Sequence, residues 1–403
     1  MMKIGLYGIG GLYNYGCEAI VRGTEILFHQ IYPDAEIIYF SRRAEEDSKI
    51  IEDVKITVVQ LQEDYSFSER VINKLFKEVG IAYTVGDRSQ KQVLESNLDL
   101  IVSIGGDIYT IPEHVREQKK YNYYNKLVKL GESALSRGIK FIIYGASIGP
   151  FGNYSKAIDF YINHFKKVDL IIAREQKCVD YLKKQGIEKN VIVLPDPAFS
   201  VTGYTDDRAE KKYIGINLSP LSIRELNGDV TDDSISILSD LLVNIVHHTG
   251  RELLLIPHVF CPESSNDNDY VFMEKIISSL PKHEAKYIHL SKPKNYIDAK
   301  RILRTCLIVV TARMHCGINA VSESIPTIFL SYSDKAVGMA KYVYNSEEWV
   351  VPLRRITTEL IPKIDTMISQ TQKIESDLHE RIQHIRKLSA DSSVYERIRE
   401  INQ

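Results

Sequence analysis

The chain has 403 residues, 44% hydrophobic and 26% charged, with 51 Lys and Arg against 53 Asp and Glu. That length suits two domains, and the near-neutral balance argues against nucleic acid as the main partner and against an acidic tail or polybasic anchor as the dominant feature. The five cysteines, Cys17, Cys178, Cys261, Cys306 and Cys316, contain no C-x-x-C pair, which disfavours a disulfide scaffold or a structural zinc site and fits a reducing compartment.

The N-terminus runs from Met1 straight into an apolar strand and a glycine turn, without the apolar stretch and cleavage site of a signal peptide. No apolar run approaches the ~20 residues that cross a bilayer. A cytoplasmic enzyme is expected, at most in peripheral contact with the inner face of the membrane.

In chain order, β-branched apolar runs predict strands at Ile4–Tyr7, Glu36–Phe40, Ile56–Val59, Leu98–Ile104, Lys140–Tyr144, Leu170–Ala173 and Val191–Leu194. A second series follows at Tyr213–Asn217, Glu252–Pro257, Tyr287–His289, Cys306–Thr311 and Thr327–Leu330. Amphipathic stretches such as Glu18–Ile31, Tyr123–Arg137, Ala157–Lys166 and Ile235–His247 predict helices between them. Apolar strands alternating with helices make parallel sheets covered on both faces. The fold class is therefore α/β, with two Rossmann-like domains at 1–202 and 211–355. The polar, charged segment Gly203–Lys212 reads as the linker. A helical tail, 356–403, is expected to pack back on the N-terminal domain.

Ligands of parallel sheets bind beyond the carboxyl ends of strands. The polar residues there include Asn14 and Glu18, Gly105-Gly106-Asp107, Ser147, Arg174, His258, and Arg313-Met314-His315. Blander readings stand beside the functional ones. The first glycine cluster meets G-x-G-x-x-G only in part, Gly105-Gly106 can be a plain turn, Asp107 a helix cap and His258 a hydrogen-bonded core histidine. Arg174 and Arg313 each follow an apolar strand, where an arginine must be paired. Each reads either as a structural ion pair or as an anion ligand with a planar fork. Arg313 also opens a predicted helix, Met314–Ser324, whose first N–H groups favour anions. His315 beside it can carry a proton. No P-loop, H-E-x-x-H or G-x-S-x-G motif is present.

Together, Asn14–Ile20, Ile104–Asp107, Tyr144–Pro150, Ala173–Glu175, Asp196–Phe199 and Ala312–His315, with Ser331–Lys335 downstream, resemble the polysaccharide pyruvyl transferase family over about residues 4–345. Cys17 stands where many members have Asp, and Glu113–Asn122 matches no recognised acceptor loop. The resemblance implies a fold similar to glycosyltransferase type B, with the site in the interdomain cleft. It implies phosphoenolpyruvate as donor and co-substrate, and a sugar of a surface-polysaccharide or cell-wall precursor, free or lipid-linked, as acceptor. The product would be a cyclic pyruvate ketal. His315 would be the general acid/base, with Arg313 also in the catalytic set. Arg174, Arg313 and Lys335 would be donor ligands. Asn14, Glu18, Gly105, Gly106, Asp107, Ser147 and His258 would be acceptor-side or cleft groups. The scheme calls for no metal and no further cofactor. A nucleotide-sugar glycosyltransferase and a non-catalytic sugar-binding relative are the alternatives.

Overall fold

Short apolar runs bounded by glycine and polar turns form thirteen strands in a computed structural model that describes residues 1–62, 65–78, 85–203, 210–262 and 265–402. Every strand pairing is parallel. That requires a crossover after each strand, which the intervening helices supply.

The chain divides into two units. The first comprises Met1–Leu12, Ile20–Pro197 and Leu388–Gln403. Its strands are β1 Lys3–Tyr7, β2 Glu36–Ser41, β3 Thr57–Gln60, β4 Leu100–Ile104, β5 Lys140–Ala146, β6 Leu170–Ala173 and β7 Val191–Val193, in the order β3-β2-β1-β4-β5-β6-β7. β4 and β6 are buried along their whole length, as a sheet covered on both faces requires. At the β1 turn Gly8 has φ +130, and a β-carbon there would strike the Ile104 carbonyl oxygen, so only glycine fits.

The second unit comprises Tyr13–Ala19 and Ala198–Lys387. Its strands are β8 Tyr213–Asn217, β9 Leu253–Leu255, β10 Ile288–Leu290, β11 Cys306–Thr311, β12 Thr327–Ser331 and β13 Val350–Pro352, in the order β10-β9-β8-β11-β12-β13. The edge strand β13 is absent from the sequence reading. It is three residues long and ends in proline, which a sheet edge tolerates and periodicity does not reveal.

The expected strand Glu252–Pro257 contracts to Leu253–Leu255. The helix expected to run to Ser324 is Met314–Val321, and Ser324 takes a left-handed φ of 59 before the Ile325-Pro326 step. Most of the expected linker, residues 204–209, lies outside the described residues. Within Glu113–Asn122 the structure forms one helical turn, Glu113–Arg116. The C-terminal residues form three helices, Ile356–Ser369, Thr371–Ser389 and Ser392–Ile401. The last packs in the first unit, where Tyr32 donates to the Ile398 carbonyl at 3.2 Å.

Candidate functional site

In the second unit β9, β8 and β11 are neighbours and end at one edge of the sheet. Asn217 closes β8. Its amide nitrogen donates to the Ile256 carbonyl at 2.9 Å, and its Oδ1 accepts from the Arg313 N–H at 3.0 Å and the Thr311 hydroxyl at 3.2 Å. This buried amide fixes the turn after β11. Arg313 then caps the helix Met314–Val321 with extended backbone, φ −93 and ψ 123.

The Arg313 side chain turns toward two aspartates. Nε and Nη2 donate to Asp269 Oδ1 at 3.2 and 2.8 Å, and Nη2 also donates to Asp267 at 2.5 Å. Burial works against the charge, but Asp269 and then Asp267 outweigh it and hold the guanidinium protonated. Asp269 is fully buried and serves three elements. Its Oδ2 accepts the His258 N–H at 3.2 Å and, more weakly, the Asn217 amide at 3.4 Å.

His258 follows β9 and is 1% exposed. Asn319 donates from Nδ2 to the Tyr296 carbonyl at 3.2 Å, which settles the orientation of its amide. The same Nδ2 faces His258 Nε2 at 3.2 Å, so Nε2 accepts and the ring proton sits on Nδ1. Burial depresses the His258 pKa to about 3, so the ring is neutral at physiological pH.

The segment carrying Asn14 and Glu18 is laced to these residues within the same unit. Tyr15 N–H donates to the His258 carbonyl at 2.9 Å, Phe260 N–H donates to the Tyr13 carbonyl at 2.9 Å, and Asn14 forms an antiparallel bridge with Val259. Asn14 Oδ1 accepts the Gly16 N–H at 2.9 Å at the start of the helix Tyr15–Ile31. Glu18 is wholly buried and its carboxylate accepts the Tyr296 N–H at 2.7 Å, so within the second unit it fastens the Tyr13–Ala19 segment to the start of Tyr296–Leu303. His315, half-buried, rests against Gly16. Lys335 is exposed at the second position of the helix Asp334–Tyr344, which follows β12, the strand next to β11.

The remaining predicted residues converge in the first unit, around Arg174 after β6. Ser147 Oγ accepts from Arg174 Nε at 3.1 Å and Nη2 at 2.9 Å, and donates to Glu175 at 2.8 Å. Asp196 accepts from Nη1 at 2.9 Å, and Asp107 lies 3.5 Å from Nη2. Burial opposes this charge too, and Asp196, Asp107 and Glu175 restore it. The Gly106 carbonyl accepts the Ser147 N–H at 2.8 Å. A β-carbon at Gly106 would come within 3.5 Å of the guanidinium. Gly105 beside it has φ +148, open only to glycine.

The predicted residues therefore form two sets. Asn14, Glu18, His258, Arg313, His315 and Lys335 belong to the second unit, and Gly105, Gly106, Asp107, Ser147 and Arg174 to the first. Sequence reasoning did not single out Asn217, Asp267, Asp269 or Asn319, since no spacing ties them to Arg313 or His258. Asp196 stands out only as part of a motif. Among the described residues no group of three His, Cys, Asp or Glu side chains is placed to hold a metal ion.

Two parallel-sheet α/β units followed by long C-terminal helices define the class of glycosyltransferase type B and UDP-GlcNAc epimerase-like folds. The chain is similar to the UDP-GlcNAc 2-epimerase from Neisseria meningitidis bound to UDP-GlcNAc, at 12% identity and TM-score 0.59 over 99% of this chain and 100% of that one. It is similar to the UDP-GlcNAc 2-epimerase from Methanocaldococcus jannaschii, at 12% identity and TM-score 0.54 over 91% and 93% of the two chains. It also resembles the glycotransferase of kitacinnamycin, at 10% identity and TM-score 0.51 over 99% and 98%. Likeness at this level of identity establishes the fold alone. The family model for polysaccharide pyruvyl transferase matches residues 14–334, and the chain belongs to that family.

Proposed function

We propose that the protein transfers the pyruvyl group of phosphoenolpyruvate onto two hydroxyls of one sugar in a surface-polysaccharide or cell-wall precursor. The observation that carries this reading is the Arg313-Met314-His315 turn. A charged guanidinium, an imidazole and the first N–H groups of a helix meet at the carboxyl edge of the sheet.

The donor carries a carboxylate, a phosphate and an enol carbon. In this reading Arg313, the helix N-terminus and Lys335 hold the anionic groups. C3 of the enol gains a proton, C2 becomes cationic, and a sugar hydroxyl attacks C2 as it loses its proton. Phosphate then departs with the C2–O bond, taking up a proton, and a second hydroxyl closes the ring on C2 as it too is deprotonated. Two protons leave the hydroxyls, one is gained at C3 and one by phosphate, so the sum balances. His315 is the group that gives and takes these protons. His258, neutral and fixed in one tautomer, orients rather than donates.

Arg174 takes a different part. Its Nε, Nη1 and Nη2 are engaged by Ser147 and Asp196. We read it as a positioning residue for the Gly105–Asp107 and Ser147 turns rather than as a second donor ligand, and we read Asp107 and Ser147 as acceptor-side groups.

The test is phosphate release from phosphoenolpyruvate across a panel of free and lipid-linked sugars, with the ketal identified by mass spectrometry. Release that depends on an acceptor supports the reading. A protein stabilised by a nucleotide sugar and indifferent to phosphoenolpyruvate would point to glycosyl transfer instead.

A further inference from the structure

We propose that the helix Phe67–Glu78 of the first unit docks on an anionic phospholipid surface. Its sequence, Phe-Ser-Glu-Arg-Val-Ile-Asn-Lys-Leu-Phe-Lys-Glu, inverts the usual order of an amphipathic helix. Phe67, Val71 and Leu75 recur every four residues on one line, and Ile72 widens that line into an arc. All four face outward, 84%, 47%, 54% and 39% exposed in that order. The opposite face is anchored by polar bonds. Asn73 exchanges two hydrogen bonds with the backbone of Val85, at 3.0 and 2.9 Å. Glu69 receives both arms of Arg88 at 2.9 Å, and that pairing holds its carboxyl down at about 2. A helix packed on its own protein buries the apolar arc, as Ser155–Phe165 buries Ala157, Tyr161, Ile162 and Phe165.

Charge selects the occupant. Lys74 lies at the edge of the apolar arc, one turn from the exposed Arg70, so a basic flank borders the apolar stripe. Apolar side chains with a basic border suit the headgroup region of an anionic leaflet, with the aromatic ring at the interface. The helix has 12 residues, too short to cross a bilayer that needs about 20, so it lies on the surface. A protein partner fits less well. Four exposed apolar side chains on one 12-residue helix are far fewer than the roughly 20–30 residues that each side of a standard protein interface contributes. The proposal does not depend on pyruvyl transfer.

The experiment is flotation of the full chain with phosphatidylcholine vesicles, with and without about 30% phosphatidylglycerol. Wild type is expected to float with the anionic vesicles, at least about tenfold less with the neutral ones, and to be released by salt. F67S combined with L75S, and separately K74E, are expected to lose flotation with unchanged melting temperature. V193S, which alters an exposed apolar residue elsewhere in the unit, should retain it. Failure of wild type to float would overturn the proposal. So would equal flotation of the F67S/L75S protein. A concentration-dependent dimer that this double variant abolishes and vesicles do not compete would replace lipid by a second copy of the chain.

Discussion

The imidazole of His315 lies so close to the backbone of Gly16 that a β-carbon at position 16 would stand 2.5 Å from Nδ1 and 2.7 Å from Cγ. Glycine is thus required here by the neighbour's ring, at the first turn of a helix that would otherwise favour a side chain. Alanine exceeds glycine in helix propensity by about 1 kcal/mol in a helix interior and by less at this second helical position, which offsets part of the clash. Gly16→Ala should therefore fold with little change in melting temperature, while the displaced imidazole lowers acceptor-dependent phosphate release at least about tenfold. Unchanged turnover would show that the position of His315 is not critical.

His315→Ala should reduce turnover by about 10²–10⁴-fold with donor affinity nearly kept, as loss of a general acid/base group does. Arg313→Lys should do more harm to kcat/KM than to donor Kd. Lysine keeps the charge but cannot hold Asp269 through two nitrogens while reaching Asp267. Calorimetry with phosphoenolpyruvate, set beside steady-state rates, separates the two effects. Small and equal losses would reduce Arg313 to a structural cation.

Asp269→Asn leaves a buried guanidinium with only the partly exposed Asp267 opposite it. Removing one member of a buried pair costs about 3–5 kcal/mol. Urea unfolding should place Asp269→Asn near the lower end of that range, because the amide can still accept the His258 N–H. Asp267→Ala should cost distinctly less. Equal costs would mean that solvent already screens both carboxylates.

Burial lowers two histidines, His164 and His258, from 6.5 to about 3. Between these values the unfolded chain binds their protons and the folded chain does not. Stability from these groups is therefore full above pH ~6.5 and falls as the pH drops toward 3, by about 1.4 kcal/mol per pH unit for each histidine. His164→Leu should remove one proton's worth of that slope between pH 4 and 6 in urea titrations, compared with wild type. An identical slope would mean that His164 is protonated in the folded protein.

Lys300 is fully buried against Ser322, with Glu323 at 3.5 Å, and burial lowers its pKa from 10.5 to about 8. Here too the unfolded chain binds the extra proton, now between pH 8 and 10.5. The contribution of Lys300 to stability should thus rise through that window, by up to about 3 kcal/mol. The difference in unfolding free energy between wild type and Lys300→Met, measured from pH 7.5 to 9.5, should shift in favour of wild type. A flat difference would indicate that Glu323 keeps the lysine charged.

Much of the fold was legible because parallel strands buried on both faces need continuous apolar runs, which stand out between polar turns. All twelve expected strands correspond to observed ones, within about two residues at their ends. The thirteenth, Val350–Pro352, escaped because its short run ends in a proline, which reads as a turn rather than as a strand. Arg174, Arg313 and His315 stood out for a related reason, since a charged residue directly after an apolar strand must be paired or bind something. Glu18 was legible as a polar residue near the end of β1, but its contact, the Tyr296 amide 278 residues away, was not.

That two series of parallel strands exist, and which polar residues follow them, can be read from the order of residues alone, because both are local consequences of side-chain pattern. What those residues touch is set by the packed fold. Asp269 lies 44 residues from Arg313, and Asn319 lies 61 from His258, in loops and helices whose own periodicity is silent about the partner. The requirement for glycine at position 16 is of the same kind, for it arises in the ring of a residue nearly 300 positions later. The tautomer and charge of His258 follow from burial and from one amide proton. Those are properties of a packed environment that composition and spacing do not contain.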